Sequence, residues 1–368
     1  MNYHPAFSVL LWAASAAAAP LAVSGLRTEY LTNPLSVESP APRFTWVLQS
    51  QENGQKQTAY RILAASSRDR LAANQADLWD SGRVASSETV NIPYAGKPLI
   101  SRQRCFWKVQ VWDKDQKPSA WSAEAEWSMG LLRAEDWRAQ WISYPDPSPV
   151  HNSRKDLQLP PARAYRGSFS VSKTIRRAVL YGSALGIFDP YLNGRRVAET
   201  MFSPGWSDYH QRAYYRAWDV TSAVSSGANT LGAIVADGWY AGYLGYGLLV
   251  GYGPNRTGRN FYGKTPALLL QLEIEFADGT RQTVATGDGW HQLPAPSLEA
   301  DFLMGETYDA RLQLDWPVRA ATDKDPWATA IPAASMAPIP APYHDMAGDK
   351  TVDLAFRKPP KLQAYTGP

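Results

Sequence analysis

The sequence has a single cysteine, Cys105, among its 368 residues. One cysteine forms no internal disulfide and supplies too few thiolates for a zinc–thiolate site or an iron–sulfur cluster. An excess of charge of one sign is also lacking, because 37 Lys and Arg stand against 34 Asp and Glu, which leaves a net charge of +3. We therefore expect no partner that binds through bulk charge, such as nucleic acid.

Motifs of common catalytic centres are lacking too. The five histidines form no i,i+4 pair and no H-E-x-x-H sequence, no G-x-S-x-G sequence marks a serine nucleophile, and no dense Asp/Asn run forms a calcium loop. Residues 258–265 fit the phosphate-loop pattern, but Pro266 and a strand-like run follow where that loop requires a helix. We predict no metal, no cofactor and no nucleotide site.

Long apolar runs are absent apart from one near the N-terminus. Residues 1–25 contain no Lys, Arg, Asp or Glu, and the apolar run 7–19 ends in small residues. The run is too short to span a bilayer, and the pattern is typical of a secretory signal peptide. Because Pro20 disfavours cleavage after Ala19, cleavage nearer Ala22 to Ser24 is expected. We predict a signal peptide at 1–25 and a periplasmic or secreted protein; the alternative is a misassigned start codon or a disordered apolar leader.

Aromatic residues are abundant, with 15 Trp, 19 Tyr and 10 Phe. Over residues 26–133 short runs alternate between apolar and polar residues, and in 104–113 Cys105, Trp107 and Val109 share one face. Period-2 alternation indicates strands with one buried face, so Cys105 is predicted to be a core residue. A short helix is predicted within Ser67 to Ala76. The strand spacing predicts an all-β domain, a fibronectin III or immunoglobulin-like sandwich.

Residues 137–320 read as a second β-sandwich, of jelly-roll type. Trp137 to Pro161 is expected to be a hinge, and the dipeptides at 193–194 and 278–279 predict type I′ hairpin turns. In the run 267–276 the leucines alternate with Gln271, Glu273 and Glu275, which predicts one buried and one wet face. The Ala/Pro-rich residues 321–368 are interpreted as a linker or tail.

Six carboxylates are candidates for the acid and base pair of glycoside hydrolysis: Asp189, Asp208, Asp237, Asp301, Glu306 and Asp309. Most lie among turn residues, where Asp usually hydrogen-bonds to its own backbone, so a structural use is favoured and no catalytic residue is assigned. Glu306, Asp309 and Arg311 are expected to form an ion-pair cluster.

The segment 237–246 is rich in glycine and aromatic residues, including Trp239, Tyr240 and Tyr243. Glycine lets a backbone approach a ligand, and flat rings with a polar edge suit the C–H face and hydroxyls of a sugar. The alternative is that these rings pack the end of the sandwich or dock a neighbouring domain.

Five motifs of this sequence resemble motifs of the bacterial α-L-rhamnosidases of glycoside hydrolase family 78. In order they are Tyr191-Leu-Asn193-Gly194-Arg-Arg-Val197, Pro204-Gly-Trp206-Ser-Asp208-Tyr209, Ala236-Asp237-Gly-Trp239-Tyr240-Ala-Gly, Tyr262-Gly263 and Gly305-Glu306-Thr-Tyr308-Asp309-Ala-Arg311. The stretches Asn33-Pro34-Leu35 and Pro42-Arg43-Phe44-Thr45-Trp46 are similar to the opening sandwich of that family.

The resemblance implies that this chain consists of the family's non-catalytic N-terminal β-domains. In that family the catalytic carboxylates lie on a helical (α/α)6 barrel, and this sequence has no long apolar pattern of period 3.6 that would predict such a barrel. The tail 360–368 resembles the linker to the family's next β-domain. We expect a chain that is inactive alone, supports a downstream or separately encoded catalytic domain, and binds a rhamnose-containing glycan. The alternatives are a structural scaffold and a stand-alone carbohydrate-binding protein whose sugar platform comprises Trp206, Asp208, Tyr209, Asp237, Trp239, Tyr240 and Tyr243.

Overall fold

The computed structural model describes residues 21–152, 159–314 and 326–365. Strands dominate these residues, as the all-β prediction requires. The chain divides into two compact units. Unit 1 comprises the described residues of Met1–Pro34, Ser39–Leu99 and Gln103–Ser128, and unit 2 comprises those of Leu35–Glu38, Ile100–Arg102 and Met129–Pro368.

Unit 1 is built from two antiparallel sheets. Its strands are β1 (Ala22–Thr28), β2 (Arg43–Gln49), β3 (Ala59–Ala65), β4 (Trp79–Asp80), β5 (Ile92–Pro93), β6 (Arg104–Trp112) and β7 (Ala125–Ser128). The strand orders are β1-β2-β5 and β4-β3-β6-β7. The predicted short helix is confirmed as α1 (Arg68–Ala72), which begins after Ser67 because the Ser67 hydroxyl accepts a hydrogen bond from the Arg70 amide.

The core of unit 1 is aromatic and joins both sheets. Phe44 of β2 stacks on Trp107 of β6 at 4.4 Å between ring centroids and meets Trp127 of β7 edge-on at 5.2 Å. Cys105 is fully buried, and burial raises the pKa of its thiol to about 12. The prediction that Cys105 is a core residue is therefore confirmed.

Unit 2 contains the longer strands. They are β8 (Ile142–Ser143), β9 (Arg163–Val171), β10 (Ile175–Leu185), β11 (Ile187–Leu192), β12 (Arg195–Arg196), β13 (Arg212–Asp219), β14 (Gly227–Ala236), β15 (Gly253–Pro254), β16 (Ala267–Phe276), β17 (Arg281–Ala285), β18 (His291–Pro294), β19 (Ser297–Asp301), β20 (Gly305–Tyr308), β21 (Ala328–Thr329), β22 (Ile331–Pro332), β23 (Pro340–Asp345), β24 (Gly348–Asp353) and β25 (Lys361–Ala364). The helices are α2 (Gly238–Ala241) and α3 (Gly245–Val250), with 3₁₀ turns at Ala134–Asp136, Ala310–Leu312 and Ala333–Ser335.

Two large sheets form the sandwich of unit 2. One runs β22-β8-β16-β10-β13-β25 with β17 paired to β16, and the other runs β12-β11-β14-β9-β18-β21. Smaller sheets are β15-β23-β24 and the hairpin β19-β20. Buried side chains from both large sheets share one core, including Leu180, Leu270, Phe188 and Leu231. This shared core is what makes the two sheets a sandwich.

Strand β16 confirms the predicted buried face, whereas the predicted wet face is only partly wet, since Glu273 and Glu275 are partly exposed and Gln271 is not. Leu268, Leu270, Leu272, Ile274 and Phe276 lie in the core. On the opposite face Gln271 is fully buried. Its buried side-chain oxygen is satisfied by hydrogen bonds that it accepts from the backbone amides of Arg138 and Ala139. The segment expected to be a hinge thus covers this face, and Gln271 provides the hydrogen bonds that hold it there.

The two predicted turns differ. Asn193 and Gly194 both have positive φ, 52° and 77°, and join β11 to β12 as a type I′ turn requires. At 278–279 only Gly279 has positive φ, and the connection spans four residues from Phe276 to Arg281. The longer connection places the positive φ on glycine alone, where it carries no steric cost.

The segment expected to be a linker forms strands over 328–364. β25 pairs in parallel with β13, and Ala364 packs among buried Leu131, Tyr181 and Tyr215. The Ala/Pro-rich composition gave no sign of this because the strands are short. At the other end, β1 begins at Ala22, inside the predicted leader, whose first 20 residues lie outside the described ones. Across the described residues no helix has the length and apolar character needed to cross a membrane.

Candidate functional site

A cleft of about 450 Å³ opens in unit 2. The cleft is enclosed by three parts of unit 2: the adjacent strands β11 and β14, the loop after β12, and the β19–β20 hairpin. Its lining residues are Ala162, Ile187, Phe188, Asp189, Arg196, Met201, Phe202, Ile234, Ala236, Gly238, Ser297, Ala300, Asp301, Phe302, Gly305 and Glu306. The lining combines aromatic and aliphatic walls with a few charged groups, which is the usual make-up of a small-molecule site.

One charged side of the cleft is an ion pair on the β11–β12 hairpin. Arg196 donates from Nη2 to Asp189 Oδ1 at 2.7 Å and to the Thr200 carbonyl at 3.2 Å. The hydrogen bond to Asp189 raises the pKa of Arg196. Both side chains are about one-third exposed, so the pair presents hydrogen-bonding atoms to solvent in the cleft.

The other charged side is the β19–β20 hairpin. Glu306 accepts a hydrogen bond from the Ser297 hydroxyl at 2.5 Å across the two strands. Asp301 is held by backbone amides, since Oδ2 accepts from Tyr243 at 2.8 Å and Oδ1 accepts from Leu303 at 2.9 Å. Asp301 therefore links the hairpin to the segment after α2. Glu306 has a second carboxylate oxygen, Oε2, that the hydrogen bond from Ser297 does not use.

Gly238 lines the cleft and begins α2. Its φ is +50°, and a Cβ placed on it would lie 2.8 Å from both Cγ2 and the backbone nitrogen of Ile187. Only glycine allows the chain to leave β14 this close to β11.

Buried charges lie behind this turn. Asp237 forms an ion pair with Arg259, and the two side chains are 4% and 3% exposed. Burial raises the pKa of Asp237 to about 7, although Arg259 favours the carboxylate. A second buried pair joins Asp146 to Lys264 at 2.7 Å. Lys264 belongs to the phosphate-loop-like segment, and its ammonium group is engaged by Asp146.

Four aromatic rings follow one another outward from the cleft; we call them the aromatic row. Phe202 and Phe302, which line the cleft, have ring centroids 5.1 Å apart, and Phe302 lies 4.5 Å from Trp239. Trp239 stacks on Trp206 at 6.2 Å with only 8° between the ring planes. Trp206 is 53% exposed, so the outer end of the row is open to solvent.

The other residues predicted for a sugar platform lie elsewhere. Tyr209, Tyr240 and Tyr243 are buried, with Tyr209 packed edge-on against Tyr240 at 5.5 Å. The Tyr243 hydroxyl lies 2.9 Å from His151 Nε2. Asp208 is exposed and accepts from the amide of His210, a turn-capping use. Of the aromatics singled out from the sequence, Trp206 and Trp239 are thus brought together near the cleft, while the tyrosines pack beneath.

The residues that the sequence assigned to structural motifs mostly make structural contacts. Asn193 accepts from the Thr230 amide and donates to Asn229, which fixes the turn that it shares with Gly194. Asp309 pairs with Arg311 at 2.7 Å on the surface. Within the residues that the structure describes, Glu306 contacts Ser297 instead of joining that pair, so the expected three-member cluster is reduced to two. Tyr308 is 58% exposed.

Several cleft residues were missed from the sequence, above all Arg196, Phe202 and Phe302. A signal for Arg196 existed, because the Asn-Gly turn fixes the register that pairs Tyr191 with Arg196 and leaves Asp189 two residues away on the same face. The phenylalanines lie on loops whose course no periodic pattern indicates. In the described ranges no group of three or more His, Cys, Asp or Glu is arranged to hold a metal ion.

Comparison with known protein families gives two matches. Residues 23–133 match the family described as Rha78A-like, N-terminal immunoglobulin domain, and residues 173–346 match the Alpha-L-rhamnosidase N-terminal domain. An α-L-rhamnosidase from Formosa agariphila is 35% identical over 331 residues, which cover 88% of this chain and 34% of that protein. One from Alteromonas sp. is 35% identical over 83% of this chain and 32% of its own length.

The solved structures to which this chain is similar include two α-L-rhamnosidases. Streptomyces avermitilis α-L-rhamnosidase complexed with L-rhamnose superposes with a TM-score of 0.76 at 28% identity, over 85% of this chain and 45% of that one. The α-L-rhamnosidase from Dictyoglumus thermophilum gives 0.74 at 31% identity, over 85% and 34%. The chain spans about a third of the length of the curated relatives named above.

Proposed function

The chain belongs to the α-L-rhamnosidases of glycoside hydrolase family 78 and carries their N-terminal, non-catalytic domains, and from this premise we propose that unit 2 binds the terminal sugar of a rhamnose-bearing glycan. The cleft carries the proposal. Its volume of about 450 Å³ falls in the range of small-ligand sites, about 300–1,000 Å³.

The chemistry of the lining suits a neutral sugar. The Asp189–Arg196 pair and Glu306 offer charged acceptors and donors for vicinal hydroxyls, and charge-assisted hydrogen bonds are stronger than neutral ones. Phe202 and Phe302 offer apolar faces for the C–H side of the ring. Because Asp301 and the β19–β20 hairpin are tied to the backbone after α2, these groups are held in place before a ligand arrives.

Calorimetric titration of the purified chain with L-rhamnose tests the proposal. We expect saturable binding that Glu306→Gln weakens by about threefold to tenfold, because a charge-assisted hydrogen bond becomes a neutral one. Glu299→Gln is the matched control. Glu299 lies on the same hairpin and accepts from Thr307, but it is absent from the cleft lining. No heat at millimolar sugar, or equal loss in both variants, would reject the cleft as the site.

A second candidate function is support of the family's catalytic part. Helix α3 favours it, since Tyr246, Leu249 and Val250 are 64%, 82% and 43% exposed on one six-residue helix. Such exposed apolar groups often mark a protein–protein contact. In this role the chain alone hydrolyses no rhamnoside, and measurable turnover by the purified chain would contradict this candidate.

The support role is tested by mixing this chain with the part of the Formosa agariphila relative that lies beyond the matched region. We expect a complex on size-exclusion chromatography that Leu249→Ser weakens. Ile100→Ser is the control, because Ile100 is 67% exposed but lies outside α3. A complex unaffected by Leu249→Ser, or no complex, would count against this candidate.

Export to the periplasm or medium is also proposed, on the leader-like pattern of 1–25. In the fold, Ala22, Val23 and Ser24 pair with Gln49, Leu48 and Val47. Cleavage at Ala22 to Ser24 would remove these pairs, so we expect the mature chain to begin at or before residue 21. N-terminal sequencing of the exported product tests this, and a start beyond residue 21 would contradict it.

A further inference from the structure

The aromatic row leaves the cleft without interruption. Phe202 and Phe302 line the cleft, Phe302 contacts Trp239, and Trp239 stacks on Trp206. Successive ring centroids are 4.5 to 6.2 Å apart. The row therefore extends the aromatic wall of the cleft to a ring that lies outside the cleft lining.

The outer end of the row is held in place yet open. The near-parallel stack on Trp239 fixes the plane of Trp206. About half of Trp206 nevertheless remains exposed. Large aromatics of a sandwich normally bury both faces in the core, as Trp107 and Trp127 of unit 1 do. An indole that is held by a stacked ring and is still about half exposed is therefore a surface suited to a flat, partly apolar ligand.

The chemistry of the row differs from that of the cleft. The cleft has carboxylates and a guanidinium that select hydroxyl patterns, whereas the row offers π-faces that accept the C–H face of any pyranose. The first arrangement recognises one particular sugar. The second adds affinity with little selectivity.

We propose that the Trp206–Trp239 stack is a second sugar subsite, so that unit 2 binds an oligosaccharide of at least two residues with its terminal residue in the cleft. This inference rests on the proposed function of the cleft. It adds that the preferred ligand is longer than a monosaccharide and that Trp206 distinguishes the two lengths.

The test compares two probes by calorimetric titration of the full chain: L-rhamnose, and a disaccharide that ends in α-L-rhamnose, such as rutinose. Stacking on an aromatic ring should make the disaccharide bind on the order of threefold to tenfold more tightly than the monosaccharide. Trp206→Ala should remove this gain while L-rhamnose still binds with wild-type affinity. Trp206→Phe, which keeps a flat face, should retain part of the gain.

Tyr246→Ala serves as the control, because Tyr246 is an exposed aromatic on α3 that is absent from both the cleft lining and the row. It should leave both affinities unchanged. Thermal unfolding of each variant, compared with wild type, shows whether the fold is retained. Tryptophan emission gives a second readout, since disaccharide binding should shift the wild-type spectrum to shorter wavelength, whereas L-rhamnose should not, and Trp206→Ala should abolish the shift.

The possible results separate the two proposals. If L-rhamnose binds but the disaccharide binds no more tightly, or its gain survives Trp206→Ala, the second subsite is rejected and the cleft proposal stands. If Trp206→Ala weakens both probes equally, Trp206 acts on the terminal residue and the second subsite is again rejected. If neither probe binds wild type, the proposed function itself fails and this inference fails with it.

Discussion

Asp237 and Arg259 form an ion pair in which both side chains are almost fully buried. Asp301, Asp146 and Lys264 also act on Asp237, the two carboxylates raising its pKa and the lysine lowering it. Burial is the largest effect, and the pKa of Asp237 is raised to about 7. The turn that carries Gly238 into the cleft thus begins at a carboxyl that titrates near neutral pH.

Asp237 should make the stability of unit 2 depend on pH. An Asp in an unfolded chain titrates near pH 4. Between about pH 4 and 7 the folded state therefore binds a proton that the unfolded state has lost, so the stabilisation is complete below about pH 4 and is lost as the pH rises through 7. Asp237→Asn cannot titrate. We expect the free energy of unfolding of wild type, relative to this variant, to fall by on the order of 4 kcal/mol over that range.

Urea unfolding at several pH values measures this difference. Asp278→Asn is a control of opposite sign, because hydrogen bonds from Thr280 and Lys173 lower the pKa of Asp278. Its contribution is present above about pH 4 and is lost as the pH falls. Parallel pH curves for wild type and Asp237→Asn would show that Asp237 does not titrate as described.

Gly238→Ala should damage both the fold and the cleft. A non-glycine residue at positive φ costs about 1–2 kcal/mol, and the new methyl overlaps Ile187, which typically costs about 1–3 kcal/mol. We expect a loss of about 2–5 kcal/mol in unfolding free energy and weaker L-rhamnose binding. Gly245→Ala is the matched control, since no atom lies within 4 Å of a Cβ there. Equal stability of the two variants would contradict the strained turn.

Removal of residues 361–368 should destabilise unit 2. It deletes β25 and the packing of Ala364 against Tyr215, and it uncovers the edge of β13. We expect a loss of about 2 kcal/mol or more, from the apolar area exposed and the ladder hydrogen bonds lost. Removal of 366–368 alone leaves β25 intact and is the control. If the longer truncation unfolds at the same temperature as the control, the segment is a linker after all.

The sequence allowed prediction of strands wherever one face alternates. Residues 267–276 were predicted as a strand and form β16 with the same limits. β9 was missed because Arg163 and Arg166 interrupt its apolar pattern, although Arg166 is buried. β25 was missed because a four-residue strand in Pro-flanked text carries too little alternation to be distinguished from a loop.

The candidate site was predictable only in part. Trp206 and Trp239 were singled out as flat residues of a sugar platform, and their rings do stack nearly parallel to each other. Tyr240 and Tyr243 belong to the same segment but point into the protein, and composition alone cannot tell which ring of a loop is buried. The cleft joins residues more than 100 positions apart, such as Asp189 and Glu306. Such pairs depend on sheet topology, which local sequence patterns do not specify.

Charge in the cleft should make it select against anionic sugars. Asp189, Asp301 and Glu306 oppose a single guanidinium, that of Arg196, so the lining is net negative. A sulfate or carboxylate on the bound sugar would lie near these groups, and we expect an L-rhamnose sulfate ester to bind about tenfold more weakly than L-rhamnose.

Glu306→Gln should narrow this difference in affinity, whereas Glu299→Gln should not, because Glu299 is absent from the cleft lining. Raising the salt concentration should also narrow the gap, since the repulsion is screened within about 10 Å at 0.1 M salt. Equal affinities for the two sugars, independent of salt, would mean that the ligand does not approach these carboxylates and would place the sugar outside the cleft.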